Sequence, residues 1–168
     1  MLEPAVAIKL IAMDVDGVLT DGSFWWGPNG EEWKRFHFAD IMGLSRARKA
    51  GLLLALISGE DSPLIDRLAE KMQIGDVEKS CKDKAAALRR IAALHHLSLD
   101  EICFMGDDVN DLPALEIAGL PAAPADAQPA IRTRCRFIAA AKGGNGAVRE
   151  LIEMILSDSI SRTIADKG

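Results

Sequence analysis

Two groups of acidic residues stand out by type and spacing. Asp14-Val15-Asp16-Gly17 follows an apolar run that begins at Ile8, and Gly106-Asp107-Asp108-Val109-Asn110-Asp111 follows the apolar run Ile102–Met105. Two carboxylates two residues apart, at the end of a strand, converge on one cation when the second lies in the turn, and Gly17 relieves that turn sterically. An acidic cap before a helix has the same pattern, so the first group alone is a weak signal. The second group is more demanding. Asp107, Asp108 and Asp111 repel one another unless a divalent cation lies among them. A solvated acidic loop is the alternative, and it fits poorly directly after a buried strand.

Two further features suit an anion. The apolar run Leu52–Ile57 ends at Ser58-Gly59-Glu60. A hydroxyl and a glycine amide before a helix form an anion seat, because a helix N-terminus offers free N–H groups. A simple helix cap would read the same way. Lys84 starts a helical stretch, where the helix dipole disfavours a cation. A bound phosphate or carboxylate resolves that conflict, while a solvated surface lysine is the plain alternative. Taken together, oxygens for a hard cation, hydroxyl and lysine donors for an anion, and a spare carboxylate are the parts that phosphoryl transfer requires.

The elements that must position these residues alternate along the chain. Ile8–Val15, Leu52–Ile57, Ile102–Met105, Phe137–Ala140 and, less clearly, Leu120–Ala123 read as strands. Asp40–Ala50, Ser62–Met72, Lys82–His95, Asp111–Ala118 and Ala147–Leu156 read as helices. Continuous apolar strands separated by helices imply parallel strands buried on both faces. The fold class is therefore α/β, a doubly wound, mostly parallel sheet in one domain over residues 1–168. Ligands bind such sheets beyond the carboxyl ends of the strands, where the residues above fall. One segment breaks the rhythm: Ser23–Gly27 and Glu31–Phe38 flank Pro28-Asn29-Gly30, and Asn-Gly signals a hairpin turn. The hairpin, at about residues 23–38, carries Phe24, Trp25 and Trp26, which pack either on the domain's own core or on another subunit. A polar tail spans about residues 157–168.

Composition narrows the function classes. The chain has 168 residues, 49% hydrophobic and 27% charged, with a net charge of −5. Such a chain buries a sizeable core, and an acidic balance disfavours nucleic acid as a partner. No apolar run approaches a membrane span. Met1-Leu2-Glu3-Pro4 lacks the features of a signal peptide, so a cytoplasmic location with no membrane partner is expected. Cys81, Cys103 and Cys135 are too few and too scattered for a zinc knuckle or a disulfide framework, and Cys103 reads as a small core residue.

With these residues assembled, the chain resembles the haloacid dehalogenase-type phosphatases, and within them a capless branch acting on sugar-acid phosphates. Asp14-Val15-Asp16-Gly17-Val18-Leu19-Thr20-Asp21-Gly22 resembles the first motif of that branch, Ser58 the second, Lys84 the third and Gly106–Asp111 the fourth. Gly143-Gly144-Asn145-Gly146-Ala147-Val148-Arg149-Glu150 resembles its C-terminal signature. The resemblance implies Asp14 as nucleophile, forming an aspartyl-phosphate, and Asp16 as general acid and then base. It implies Mg²⁺ held by Asp14, the Asp16 carbonyl and Asp107, with Asp108 and Asp111 orienting its waters. Ser58 and Lys84 would bind the phosphoryl oxygens, and Gly59, Glu60, Lys71 and Asn110 would join them in holding substrate. Ser58 follows Asp16 by only 42 positions and Lys84 follows Ser58 by 26, too few for the cap domain of many relatives. A homotetramer closing the site with the hairpin at a subunit interface is the implied substitute.

The resembled branch acts on eight-carbon 3-deoxy-D-manno-octulosonate 8-phosphate or on nonulosonate 9-phosphates, the nine-carbon acids. Octulosonate members usually carry Arg where this chain has Glu60, and Arg pairs with a substrate carboxylate that Glu would repel. Glu60 with Lys71, and Asp40-Ile41-Met42-Gly43 where octulosonate members usually read Asp-Gly, lean toward the nine-carbon acids. An acidic first turn and a basic last turn of a helix would equally account for Glu60 and Lys71. Two other readings stay open: a receiver-like phospho-switch, and a non-catalytic partner domain of a sugar-activating cytidylyltransferase system.

Overall fold

The computed structural model describes residues 6–165. The N-terminal reading at Met1–Pro4 and the last three residues of the expected tail lie outside that span.

Six parallel strands form one sheet: β1 (Leu10–Met13), β4 (Leu53–Ile57), β5 (Asp76–Glu78), β6 (Ile102–Met105), β7 (Leu120–Ala123) and β8 (Phe137–Ile138). Their spatial order is β5-β4-β1-β6-β7-β8. The chain leaves β1 toward β4 and β5, then returns to add β6 on the other side. β1 therefore lies at the topological switch point, flanked by β4 in the register Leu10↔Leu53 and by β6 in the register Leu10↔Ile102. The three loops that follow these strands share one edge, as the rule for open α/β sheets requires.

Alternation along each strand divides the core in two. Ile11 and Met13 of β1, Leu54 and Leu56 of β4, and Cys103 and Met105 of β6 point to one face. There they meet α1 (Phe38–Lys49), α2 (Pro63–Met72) and α6 (Ala147–Ala165). Leu10, Ala12, Ala55, Ile57, Ile102 and Phe104 point to the other, against α3 (Lys84–Leu94), α4 (Leu112–Ile117) and the short α5 (Pro129–Arg132). Both faces are covered, which is why the strands read as unbroken apolar runs.

The hairpin forms where Asn29-Gly30 places it. β2 (Trp25–Trp26) pairs antiparallel with β3 (Glu32–Trp33); Gly27 N–H donates to the Glu31 carbonyl at 2.8 Å, and Gly30 takes φ +85°. Its tryptophans do not pack on the domain's own core: Trp25, Trp26 and Trp33 are 59%, 72% and 55% exposed. Only this hairpin and α1 lie between β1 and β4, and only α2 and β5 between β4 and α3. Among the described residues there is no cap domain.

Three expectations need correction. β5 has no counterpart in the sequence reading, because Asp-Val-Glu at a sheet edge carries a single apolar residue. The helix expected from Lys82 begins at Lys84, after Asp83 caps it by accepting from Ala86 N–H at 2.9 Å. The last helix does not end at Leu156 but runs to Ala165, so most of the expected tail is helical.

Candidate active site

Each strand end delivers one part of the site. Asp14 follows β1 directly, and its N–H donates to the Met105 carbonyl at 3.0 Å, extending the β1–β6 pairing. Its carboxylate faces inward and is only 6% exposed. Oδ1 accepts the Val15 N–H at 2.7 Å, and Oδ2 lies 2.8 Å from Lys84 Nζ. Lys84, the first residue of α3, is 2% exposed and also reaches Asp111 Oδ1 at 2.6 Å. Two aspartates thus resolve the conflict of a cation at a helix N-terminus. Asp111 is fully buried, and its other oxygen accepts the N–H groups of Asp107 and Asp108 at 2.9 and 3.3 Å. This fixes the loop after β6 around Asp111, so Asp111 anchors the loop as well as Lys84.

Carboxylate oxygens of Asp14, Asp107 and Asp111 all lie within 4.8 Å of one another. When ionised they carry three negative charges against the single positive charge of Lys84. Burial, the nearby Asp111 and only partial relief from Lys84 push Asp14 up to about 7. Burial and the charges of Asp111, Asp14 and Asp108 push Asp107 up to about 8. Fully ionised, the cluster carries −2 net of Lys84, a charge it resists without a cation, and its all-oxygen donor set fits a hard divalent one. Asp111 stands within the carboxylate cluster, with its oxygens already engaged by Lys84 and two backbone N–H groups. Asp108 is exposed and spends its side chain on the Val109 N–H at 2.7 Å.

Glycines make the cluster possible. A Cβ on Gly17, at φ +85°, would lie 2.5 Å from Asp107 Cγ and closer still to Oδ2. A Cβ on Gly106 would lie 2.5 Å from Asp111 Cβ. The loop before α6 seals the other side: a Cβ on Gly143 would meet the Gly17 backbone, and one on Gly144 would lie 2.5 Å from Asp21 N. Asp40 secures that loop, accepting Gly146 and Arg149 N–H at 3.2 and 2.9 Å while 1% exposed. Burial raises its pKa despite those two donors.

Ser58 directly follows β4 and is 1% exposed, but it does not start a helix. α2 begins at Pro63, capped by Ser62, whose Oγ accepts Leu64 N–H at 3.3 Å. Ser58 Oγ instead accepts the Glu60 N–H at 3.1 Å, which leaves its hydroxyl hydrogen free to donate. Glu60 consequently lies in a bend outside the helix and is exposed, so it is not an acidic first turn. Asn110 faces Gly59, its Nδ2 lying 3.7 Å from where a Gly59 Cβ would be. Lys71 is not brought to this cluster within one chain. It is exposed in the last turn of α2, about 12 Å along the helix axis from Pro63 at 1.5 Å per residue.

Asp16 takes an unexpected partner. Its Oδ1 lies 2.6 Å from Nζ of Lys34, on the return arm of the hairpin, and 3.5 Å from the Thr20 hydroxyl. Its Oδ2 is buried with no partner. Sequence alone gives Lys34 no role, and gives Asp40 only a place in the segment that bears on substrate size. Both act across the fold, 18 positions from Asp16 and 106 from Gly146, and only the alternation of Lys34 with the exposed Trp33 hinted that one of them turns inward.

Comparison with known proteins bears on this geometry. The haloacid dehalogenase-like hydrolase family matches residues 60–151. The 3-deoxy-D-manno-octulosonate 8-phosphate phosphatase of Yersinia pestis is 32% identical over 156 residues, covering 93% of this chain and 83% of that protein. The crystal structure of the corresponding phosphatase from Moraxella catarrhalis, in complex with magnesium, phosphate and KDO, superposes with a TM-score of 0.88 at 35% identity. It covers 96% of this chain and 94% of its own. The cobalt-bound form of the Haemophilus influenzae phosphatase gives 0.87 at 34% identity, covering 89% and 88%.

Proposed function

Since the chain belongs to the haloacid dehalogenase-like hydrolase family, we propose that it is a magnesium-dependent phosphatase of 2-keto-3-deoxy sugar-acid phosphates. The observation that carries this reading is the cluster of the buried Asp14 and Asp111 and the half-buried Asp107, with one lysine between the two buried ones, at the carboxyl ends of β1 and β6. Asp14, Asp107 and the backbone carbonyl of Asp16 would hold Mg²⁺, with Asp111 at the rear of the site. When bound, the ion would offset the cluster's negative charge and polarise a phosphoryl oxygen.

The remaining chemistry falls to the chain. An Asp14 carboxylate oxygen attacks phosphorus and forms a P–O bond as the ester P–O bond breaks. Asp16 gives its proton to the departing alkoxide and so leaves the sugar acid as an alcohol. Asp16 then takes a proton from the water that cleaves the aspartyl-phosphate, releasing inorganic phosphate and restoring Asp14. Ser58 Oγ and Lys84 Nζ donate to the phosphoryl oxygens whose charge grows as the bond breaks. Gly59 and Asn110, facing each other across the cleft, and the exposed Glu60 form the side from which the sugar acid enters.

The named relatives act on the eight-carbon acid. Glu60 supports the nonulosonate 9-phosphates instead, because a carboxylate at that position repels the substrate's own carboxylate. Lys71, exposed at the far end of α2, would reach the substrate from a neighbouring copy. The exposed Phe24, Trp25, Trp26 and Trp33 support a homotetramer with the hairpin at its interface; a monomer in sedimentation at working concentration would remove that part.

The test is phosphate release from both acids, with magnesium and with a chelator, for the wild type and Asp14→Asn. Turnover that needs the metal and drops by a factor of ~10⁴ or more in the variant is expected. Substantial metal-dependent turnover by Asp14→Asn would overturn the assignment of the nucleophile.

A further inference from the structure

We infer that Lys34 is a positioning residue for the general acid, fastening Asp16 to the hairpin so that one carboxylate oxygen is held and the other is left to carry the proton. This rests on Asp16 being the acid of the proposed reaction. Lys34 is not a surface cation that happens to lie nearby. Its side chain is 1% exposed, with Nζ 2.6 Å from Asp16 Oδ1 and 3.0 Å from Glu32 Oε1. Nζ also lies 5.1 Å from the centre of the Phe24 ring, within range of a cation–π contact. A buried ammonium persists only when such partners surround it.

The two oxygens of Asp16 are treated differently. Lys34 and the Thr20 hydroxyl both address Oδ1, whereas Oδ2 is buried without any partner. A carboxyl gripped at one oxygen cannot rotate freely, so the second oxygen keeps one direction. Proton transfer demands such a fixed direction, since a catalytic group misplaced by an ångström loses roughly 10²-fold in rate. The arms of the hairpin supply all of Lys34, Glu32 and Phe24. The hairpin thus reaches the reaction through Asp16 and not only through whatever covers its outer face.

The experiment compares Lys34→Met, Asp16→Asn and the double variant on an alkyl phosphate (the sugar-acid ester) and on an aryl phosphate, whose leaving group departs without a proton. For Lys34→Met the expected result is a fall in kcat/KM, which reports phosphoryl transfer from the ester and not the shared hydrolysis of the aspartyl-phosphate, of about 10–100-fold on the alkyl ester, within the general-acid contribution, and under about 3-fold on the aryl ester. Adding Asp16→Asn should then cost nothing beyond Asp16→Asn alone. Equal losses on both esters, or additive losses in the double variant, would each overturn the inference and leave Lys34 a structural or phosphate-binding residue. If Asp16→Asn itself fails to discriminate the two esters, the acid role of Asp16 is wrong and the inference falls with it; that failure is read from the single variant alone. Should Lys34→Met not fold, Lys34→Gln, which keeps a polar end under Phe24, is measured in the same way.

Discussion

Replacing Gly17 by alanine is expected to remove the metal from the site while leaving the fold standing. The added Cβ would lie 2.5 Å from Asp107 Cγ, where carbon atoms rest at about 3.5–4.0 Å. The carboxylate must therefore retreat by about 1 Å, and ligand distances tolerate only about 0.2 Å. Even an outer partner of a metal ligand typically contributes 10–100-fold in affinity, so displacement of Asp107 should weaken magnesium binding by at least ~100-fold, or ~2.7 kcal/mol. The same substitution places a Cβ at φ +85°, a strain of about 1–2 kcal/mol. For a chain of this length that lowers Tm by roughly 2–8 °C. Gly22→Ala separates the two effects. Gly22 sits at φ +82°, but its Cβ would meet nothing nearer than the Gly17 Cα at 3.6 Å. Both variants should therefore lose stability, and only Gly17→Ala should lose magnesium, as measured by isothermal titration calorimetry. Wild-type affinity in Gly17→Ala, or an equal loss in Gly22→Ala, would refute the placement of Asp107 against Gly17 as a metal ligand.

Other consequences follow from the charges of the cluster. Lys84→Met leaves Asp14 and Asp111 buried without their cation, which should cost about 3–5 kcal/mol in denaturant unfolding at pH 8. At pH 5, where Asp14 is protonated, the cost should be smaller; the reverse trend would contradict the pairing. Asp14 and Asp107 are both raised, to about 7 and about 8, so the folded metal-free protein binds more protons than the unfolded chain between about pH 4 and about pH 8. Its stability should fall as pH rises through that window, and saturating magnesium should flatten the slope. For the same reason magnesium binding at pH 6 should expel protons, and at pH 9 almost none, as read by calorimetry in buffers of different ionisation enthalpy. Glu60→Arg should move the ratio of turnover on the eight-carbon over the nine-carbon phosphate upward by roughly 10-fold or more, the value of one charge-assisted pair; an unchanged ratio would remove Glu60 from specificity.

What the sequence made legible follows a physical division. β1, β4 and β6 are buried on both faces, so their runs Leu10–Met13, Leu53–Ile57 and Ile102–Met105 announce themselves, and Asp14, Ser58 and Asp107 are found by looking just past them. Gly17 was legible as a turn residue, but neither it nor Gly106 was legible as the space into which Asp107 and Asp111 fit. β5 was invisible because an edge strand of Asp-Val-Glu shows neither an apolar run nor alternation. The helix over Ser62–Met72 was legible because Ser62-Pro63 is its actual cap and first turn, and Ser58-Gly59 stands in the loop ahead of it. Lys34 and Asp40 were illegible for a different reason: each satisfies a group on a remote segment, and no local pattern encodes a partner 18 or 106 positions away.

The same division explains where stability is given up. Every strand residue of β1 is fully buried and apolar, and the carboxylates begin at the next position, so the fold that packs best also places its least favourable charges side by side. Lys84 offsets only part of that repulsion, and Asp111, which it touches, is already committed to two backbone N–H groups. A sequence selected for stability alone would neutralise Asp14 or Asp107, since replacing a buried charge by an uncharged isostere is often stabilising. Asp107→Asn should accordingly raise the Tm of the metal-free protein at pH 8 and lower that of the magnesium-loaded one relative to wild type. A fall in both states would mean that Asp107 serves the fold rather than the ion, and the cluster would then have to be explained by packing.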